Sequence, residues 1–145
     1  MVAFLRHVGC PFAESTVRAL TEVAELRPQI RWIVVSHASL EATDRWCSAV
    51  GAGRRLELVI DERRELYAAW GLGRSSLAHF AGPRSLASVM RARRRGIGHR
   101  HPAGTRWQQA GTFGVDSHAA ICWRHVPAHA GDLPDLEAAA DAAEG

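Results

Sequence analysis

A chain of 145 residues, 47% apolar and 23% charged, has the make-up of an ordinary globular protein with enough apolar side chains for one core. All 18 basic residues are arginine, which excludes lysine nucleophiles and Schiff-base chemistry, and the net charge of +3 is spread among interleaved acids such as Glu25, Glu41, Asp44, Glu62 and Glu65. No run of 18 apolar residues suggests a membrane span, and three cysteines without close pairing exclude a disulfide framework and fit a reducing cytoplasm.

Val2 to Val8 reads as a buried strand, too short and too interrupted by Arg6 and His7 for a secretory signal. Pro11 to Leu26 carries Phe12, Val17, Leu20, Val23 and Ala24 at helical spacing, with Pro28 as its stop. Ile30 to Ser36 is a second, β-branched strand. Ser39 or Thr43 caps the next helix, which holds Trp46, Cys47 and Val50 and ends at Gly51–Gly53. Leu56 to Ile60 is a third strand closed by Asp61, followed by a short helix from Glu62 to Trp70. Residues 74–110 form a less regular connector with one helix over Ser85–Arg95 and a polar loop over Gly96–Gly104. Gly111–Asp116 and Ala119–Arg124 read as a hairpin, and Asp132–Glu144 as a final helix capped by Asp132, its tail fraying from about residue 140. The β-α-β-α-β-α order, then a helix and β-β-α, predicts a single α/β domain over residues 1–145. Its mixed central sheet has helices on both faces.

The chemistry concentrates at Cys10. A thiol at a strand-to-helix junction meets the free N–H groups and positive dipole end of the helix, which favour thiolate. Gly9 permits a tight turn before it, and Pro11 suits a first helical turn. The competing reading is a buried cysteine acting as a small hydrophobe. His7 is either a base or cation beside Cys10 or a histidine bonded to backbone. His37 follows the second strand at the same sheet end, as a pocket residue or a polar helix entry. Arg106 either stabilises an anionic sulfur or peroxide oxygen or is a loop arginine. Cys122, between Ile121 and Trp123, reads as packing within the sheet, and Trp32, Trp70 and Trp123 as core. Two histidines in His99-Arg-His101 lack the partners a metal needs, so no metal is expected. Arg91–Arg95 has neither aromatic interleaving nor a nucleic-acid motif and reads as a solvated helix end. Gly71-Leu-Gly73 follows a helix and so is no phosphate loop.

Four segments carry a resemblance: Phe4-Leu-Arg-His-Val-Gly-Cys10-Pro, Val35-Ser-His37, Asp61-Glu-Arg-Arg-Glu-Leu-Tyr67-Ala-Ala-Trp-Gly-Leu-Gly73 and Arg106-Trp-Gln-Gln-Ala-Gly-Thr-Phe-Gly-Val-Asp116. With the order of elements, the chain resembles the AhpC/TSA-like, peroxiredoxin-related proteins of the thioredoxin fold. The resemblance implies that Cys10 is the reactive thiol, that Pro11, Phe12, His37, Gly111 and Thr112 line its pocket, and that Cys47 is a candidate resolving cysteine, against the plainer reading of Cys47 as a core-facing cysteine beside Trp46. It also implies a thiol-dependent antioxidant role, with a peroxide or disulfide as substrate, a thioredoxin- or glutathione-type thiol as reductant, and no cofactor. The chain departs from the pattern in several places. Ala13 stands where thioredoxins have a second cysteine, and His7 where peroxiredoxins have Thr or Ser. Gly111 replaces the usual cis-proline, and Arg106 lies several residues earlier than the peroxidase arginine. Two alternatives therefore stay open, a redox-inert binding module and a glutathione-linked thiol transferase.

Overall fold

The computed structural model describes residues 1–76, 83–98 and 101–145, and the elements below are those of the described residues. β1 is Val2–Phe4, α1 Pro11–Leu26, β2 Trp32–Ser36, α2 Leu40–Val50, β3 Leu56–Ile60 and α3 Glu65–Ala69. There follow α4 (Pro83–Arg94), β4 (Gly111–Val115), β5 (Ile121–His125) and α5 (Leu136–Glu144). The strands form one sheet in the order β3-β2-β1-β4-β5. β1, β2 and β3 run parallel, while β4 pairs antiparallel with both β1 and β5. This is the thioredoxin-like α/β arrangement, and it places the β1–α1 turn at the middle of the sheet.

Alternation along the central strands gives each face its own core. Ala3, Leu5, Trp32 and Val34 point to the face covered by α1, α2 and α5 and join the larger cluster with Val17, Leu20, Trp46, Val50, Leu136 and Ala139. Right-handed crossovers in one direction along the sheet explain why α1 and α2 share that face. Phe4, Val35 and Phe113 point the other way and pack with Tyr67 and Leu72. There Phe4 meets Tyr67 and Phe113 edge-on, with ring centres 5.0 and 5.8 Å apart.

The short helix α3 is held by one carboxylate. Asp61 Oδ1 accepts from the Glu65 N–H, and Oδ2 accepts from those of Leu66 and Tyr67. The Tyr67 hydroxyl then reaches the carbonyls of Leu5 and Val35, 2.6 and 3.0 Å away, and ties α3 to β1 and β2. Asp61→Ala removes the acceptor for three N–H groups, one of them buried. It is expected to cost about 2–3 kcal/mol, read as a lower urea midpoint.

Several boundaries differ from the sequence expectation, each for a local reason. β1 ends at Phe4 rather than Val8, because the chain turns at His7–Cys10, and Val8 keeps only a bridge to Ala103. β2 begins at Trp32 rather than Ile30. α3 begins at Glu65 rather than Glu62, because Arg64 takes a left-handed conformation at φ 60° and the Asp61 cap reaches past it. α4 runs Pro83–Arg94 rather than Ser85–Arg95. The closing helix starts at Leu136 with Asp135 as its cap, not at Asp132, since Pro134 offers no N–H and biases Leu133 toward an extended backbone. It runs to Glu144 without the expected fraying, with Arg27 paired to Glu137, Asp141 and Glu144. Cys122 is exposed rather than packed, because it lies on the edge strand β5. Trp32 is core, whereas Trp70 and Trp123 are only partly buried against it. The His99 and Arg100 of the metal reading lie outside the described residues, and among the described residues no group of three metal-binding side chains occurs.

Candidate active site

Cys10 is placed by a tight turn. Its N–H donates to the His7 carbonyl at 3.3 Å, and Gly9, the third residue of the turn, has φ +83°, a conformation that an L side chain resists. Cys10 is then the N-cap residue of α1, with Pro11 at the first helical position, and its carbonyl accepts the Glu14 N–H at 3.0 Å. The side chain makes no capping hydrogen bond, so the sulfur is not engaged by its own helix. Only 3% of the residue is exposed.

A cavity of about 30 Å³ lies against Cys10, lined by Arg6, Phe12, Thr112, His125 and Asp132 among others. That volume suits one or two small polar molecules. Arg6 is 5% exposed, an arginine on the last residues of an apolar run. Burial pushes its guanidinium below the usual arginine range, and the nearby Cys10 sulfur opposes that shift. It keeps its charge at neutral pH nonetheless. Thr112 and His125 are directly opposite each other on β4 and β5, so both point to the α1 face. His125 Nε2 lies 3.7 Å from Asp132 Oδ1, while Asp132 Oδ2 accepts the Ala128 N–H at 2.8 Å and is thereby fixed. The cavity thus presents a thiol, a permanent cation, a hydroxyl-bearing side chain and a histidine–carboxylate pair within one small apolar-walled space.

The candidates from sequence divide around this cavity. Phe12, Gly111 and Thr112 line it with Cys10; Pro11 is buried beside it but forms no part of its wall. His7 and His37 are buried together under the Ala103–Arg106 loop and do not line it. His7 Nδ1 lies 2.7 Å from the Val8 carbonyl, which can only accept, so Nδ1 carries the proton and Nε2 the lone pair. Burial holds His7 below the usual histidine range, with Arg6 and Arg106 adding repulsion. It is therefore a neutral imidazole at pH 7 and not the cation that would stabilise a thiolate. His37 Nε2 accepts the Thr105 N–H at 3.0 Å, and the ring lies against Gly104, where a Cβ would fall 2.6 Å from Nε2. Burial, then the charge of Arg64, lowers His37 to about 4. Arg106 is exposed and close enough to influence His7, but does not line the cavity.

Cys47 sits in the last turn of α2, where its carbonyl accepts the Ala52 N–H. That end of α2 lies beside the far half of α1, since the Gly53 N–H donates to Thr21 Oγ1 at 3.0 Å. Thr21 is about 16 Å along α1 from Cys10, so the two thiols belong to different ends of the sheet. A disulfide needs Cα atoms within about 7 Å. Burial, helped by Asp44, raises Cys47 to about 11. Native Cys47 is therefore expected to resist iodoacetamide at pH 8, to react as the pH approaches 11, and to react at once in denaturant. Peptide mapping after alkylation checks this.

Arg6, His125 and Asp132 escape the sequence reading. Arg6 leaves a signal, a charged residue inside an apolar run, whereas His125 and Asp132 become neighbours of Cys10 only through strand register.

Comparison with known proteins adds one family. A family model described as AhpC/TSA antioxidant enzyme matches residues 18–129, about three quarters of the chain. The match begins beyond Cys10 and takes in Cys47, the Asp61–Gly73 segment and the Gly111–Asp116 segment. No curated protein matches the chain significantly. The sheet, the cysteine-bearing β1–α1 turn and the family match agree: the chain belongs to the AhpC/TSA antioxidant enzyme family, peroxiredoxin-related proteins of thioredoxin-like fold and thiol-dependent redox role.

Proposed function

We propose that this protein is a one-cysteine thiol peroxidase, with Cys10 as its nucleophile and a small peroxide as its substrate. The observation that carries the reading is the size of the cavity at a cysteine that is 3% exposed. A hydroperoxide group fits a space of about 30 Å³, which matches the small oxidant of a peroxidase better than the bulky disulfide of a glutathione-linked transferase. A redox-inert module has no use for a cation and a histidine–carboxylate pair gathered around a thiol.

In the proposed step the Cys10 thiolate attacks the nearer peroxide oxygen. An S–O bond forms and the O–O bond breaks, so sulfur loses two electrons and the peroxide gains them. Arg6 stabilises the thiolate and the charge passing onto the leaving oxygen. Thr112 orients the peroxide, and His125, held by Asp132, supplies the proton that turns the leaving oxygen into water or an alcohol. One external thiol then condenses with the Cys10 sulfenic acid, releasing water and leaving a mixed disulfide. A second displaces the first and restores the Cys10 thiol. The distant, protonated Cys47 takes no part.

Steady-state peroxide consumption with dithiothreitol tests the reading. Cys10→Ser is expected to have no activity above the uncatalysed rate, while Cys47→Ser and Cys122→Ser retain wild-type turnover. Undiminished turnover in Cys10→Ser would end the proposal.

A further inference from the structure

A second cleft, about 70 Å³, adjoins the Cys10 cavity and shares Phe12 and Leu133 with it. Its remaining wall includes Ser15 of α1, Ser88 and Arg91 of α4, and Arg95 just past the end of α4. The Arg95 N–H donates to the Arg91 carbonyl at 3.3 Å, so the two residues stand about one turn apart, and both line the cleft. Arg91 Nη2 donates to Ser88 Oγ at 2.9 Å, which fixes one end of its fork. Ser88 Oγ donates in turn to the Arg84 carbonyl, and Ser15 Oγ to that of Pro11. Both hydroxyl protons are thus committed within their helices, and the donors left for a ligand are the remaining guanidinium N–H groups. Ser88 is pressed against Gly131, where a Cβ would fall 2.0 Å from the serine Cβ, so the wall needs glycine there. α4 contains four arginines and no acid, and among the described residues neither Arg91 nor Arg95 has a carboxylate within 4.0 Å.

We infer that this cleft is a carboxylate-binding subsite serving the Cys10 cavity, an inference that rests on the peroxidase reading for its purpose though not for its existence. A guanidinium fork matches a carboxylate in shape and charge. The cleft, about 70 Å³, has room for a carboxylate group. Phe12 and Leu133 line both this cleft and the cavity at the thiol. A ligand with an acid at one end and its reacting group a few bonds away therefore spans both. Two sources carry that chemistry: an acid-bearing hydroperoxide and an acid-bearing thiol reductant.

Two measurements test the subsite. Propionate titration, followed by backbone amide shifts, is expected to move Ser15, Ser88, Arg91 and Arg95 in the wild type and equally in Cys10→Ser. The shifts should vanish in Arg91→Gln/Arg95→Gln. This readout does not depend on turnover. In turnover, an acid-bearing alkyl hydroperoxide is compared with its methyl ester, and 3-mercaptopropionate with 2-mercaptoethanol. The pair that shows an about tenfold lower KM for the acid identifies the source. The double variant should erase that preference while leaving turnover of the neutral probe unchanged. Absence of propionate shifts, equal handling of acid and neutral probes in both pairs, or a preference that survives in the double variant overturns the inference. Propionate binding without turnover of either peroxide would instead count against the peroxidase reading and leave the subsite standing.

Discussion

Arg6→Met is expected to slow the reaction of Cys10 with hydrogen peroxide by about a hundredfold, or about 2.7 kcal/mol of transition-state stabilisation. Arg6 is the cation that lines the same cavity as Cys10, in a space where low dielectric strengthens its effect. Methionine keeps most of the apolar stem without the charge, and urea midpoints of the variant separate a loss of fold from a loss of rate. Arg6→Lys retains the charge but loses the planar fork, so an intermediate rate follows. By contrast Arg106→Met, at an exposed loop position, should change the rate less than twofold. Stopped-flow tryptophan fluorescence during single-turnover oxidation measures all three. A wild-type rate in Arg6→Met would remove Arg6 from the mechanism.

Acid is expected to loosen the fold through His37. Its pKa is about 4 in the folded protein, against about 6.5 for an unperturbed histidine in the unfolded chain. Below pH 6.5 the unfolded state takes up a proton that the folded state refuses, so stability falls as the pH drops from about 6.5 to about 4. Above that window the contribution is fully present. The loss from this residue amounts to about 3 kcal/mol, since each pH unit is worth about 1.4 kcal/mol. His7, lowered by burial, acts in the same direction. Protonating His37 also removes the lone pair that receives the Thr105 N–H, so the loop over the sheet end is released with it. Urea midpoints at neutral pH and near pH 4, in wild type and His37→Gln, isolate the effect. The variant should lose less stability on acidification. An equal loss in both would assign acid sensitivity to other groups.

Much of the scaffold was legible because it depends on local signals. Pro11 at the first helical position and Ser39 with Gly51 around α2 mark helix ends by residue type alone. The β-branched run before Ser36 marks β2 in the same way. The Asp61–Tyr67 segment was recognised as a motif, but its purpose emerges only in three dimensions, where one carboxylate caps α3 and one hydroxyl joins it to two strands. Boundaries slipped where a single residue overrode the periodicity, as Pro134 does at the closing helix. The site was less legible for a related reason. Cys10 announces itself through its neighbours in sequence, whereas Thr112, His125 and Asp132 reach it through strand register and one reversing loop. Of the two arginines near this end of the sheet, the sequence drew attention to the one that does not line the cavity. Arg106 sits in a plausible loop, but it is Arg6, seemingly a flaw in an apolar strand, that is buried at the thiol.

The most direct test of Cys10 as the peroxide-reactive centre is the intact mass of the reduced protein after one equivalent of hydrogen peroxide, with the site located by peptide fragmentation. Wild type and Cys47→Ser should each gain one oxygen on Cys10, and Cys10→Ser should gain none. Oxygen on the exposed Cys122 in place of Cys10, a Cys10–Cys47 disulfide, or an unchanged mass would contradict the one-cysteine mechanism.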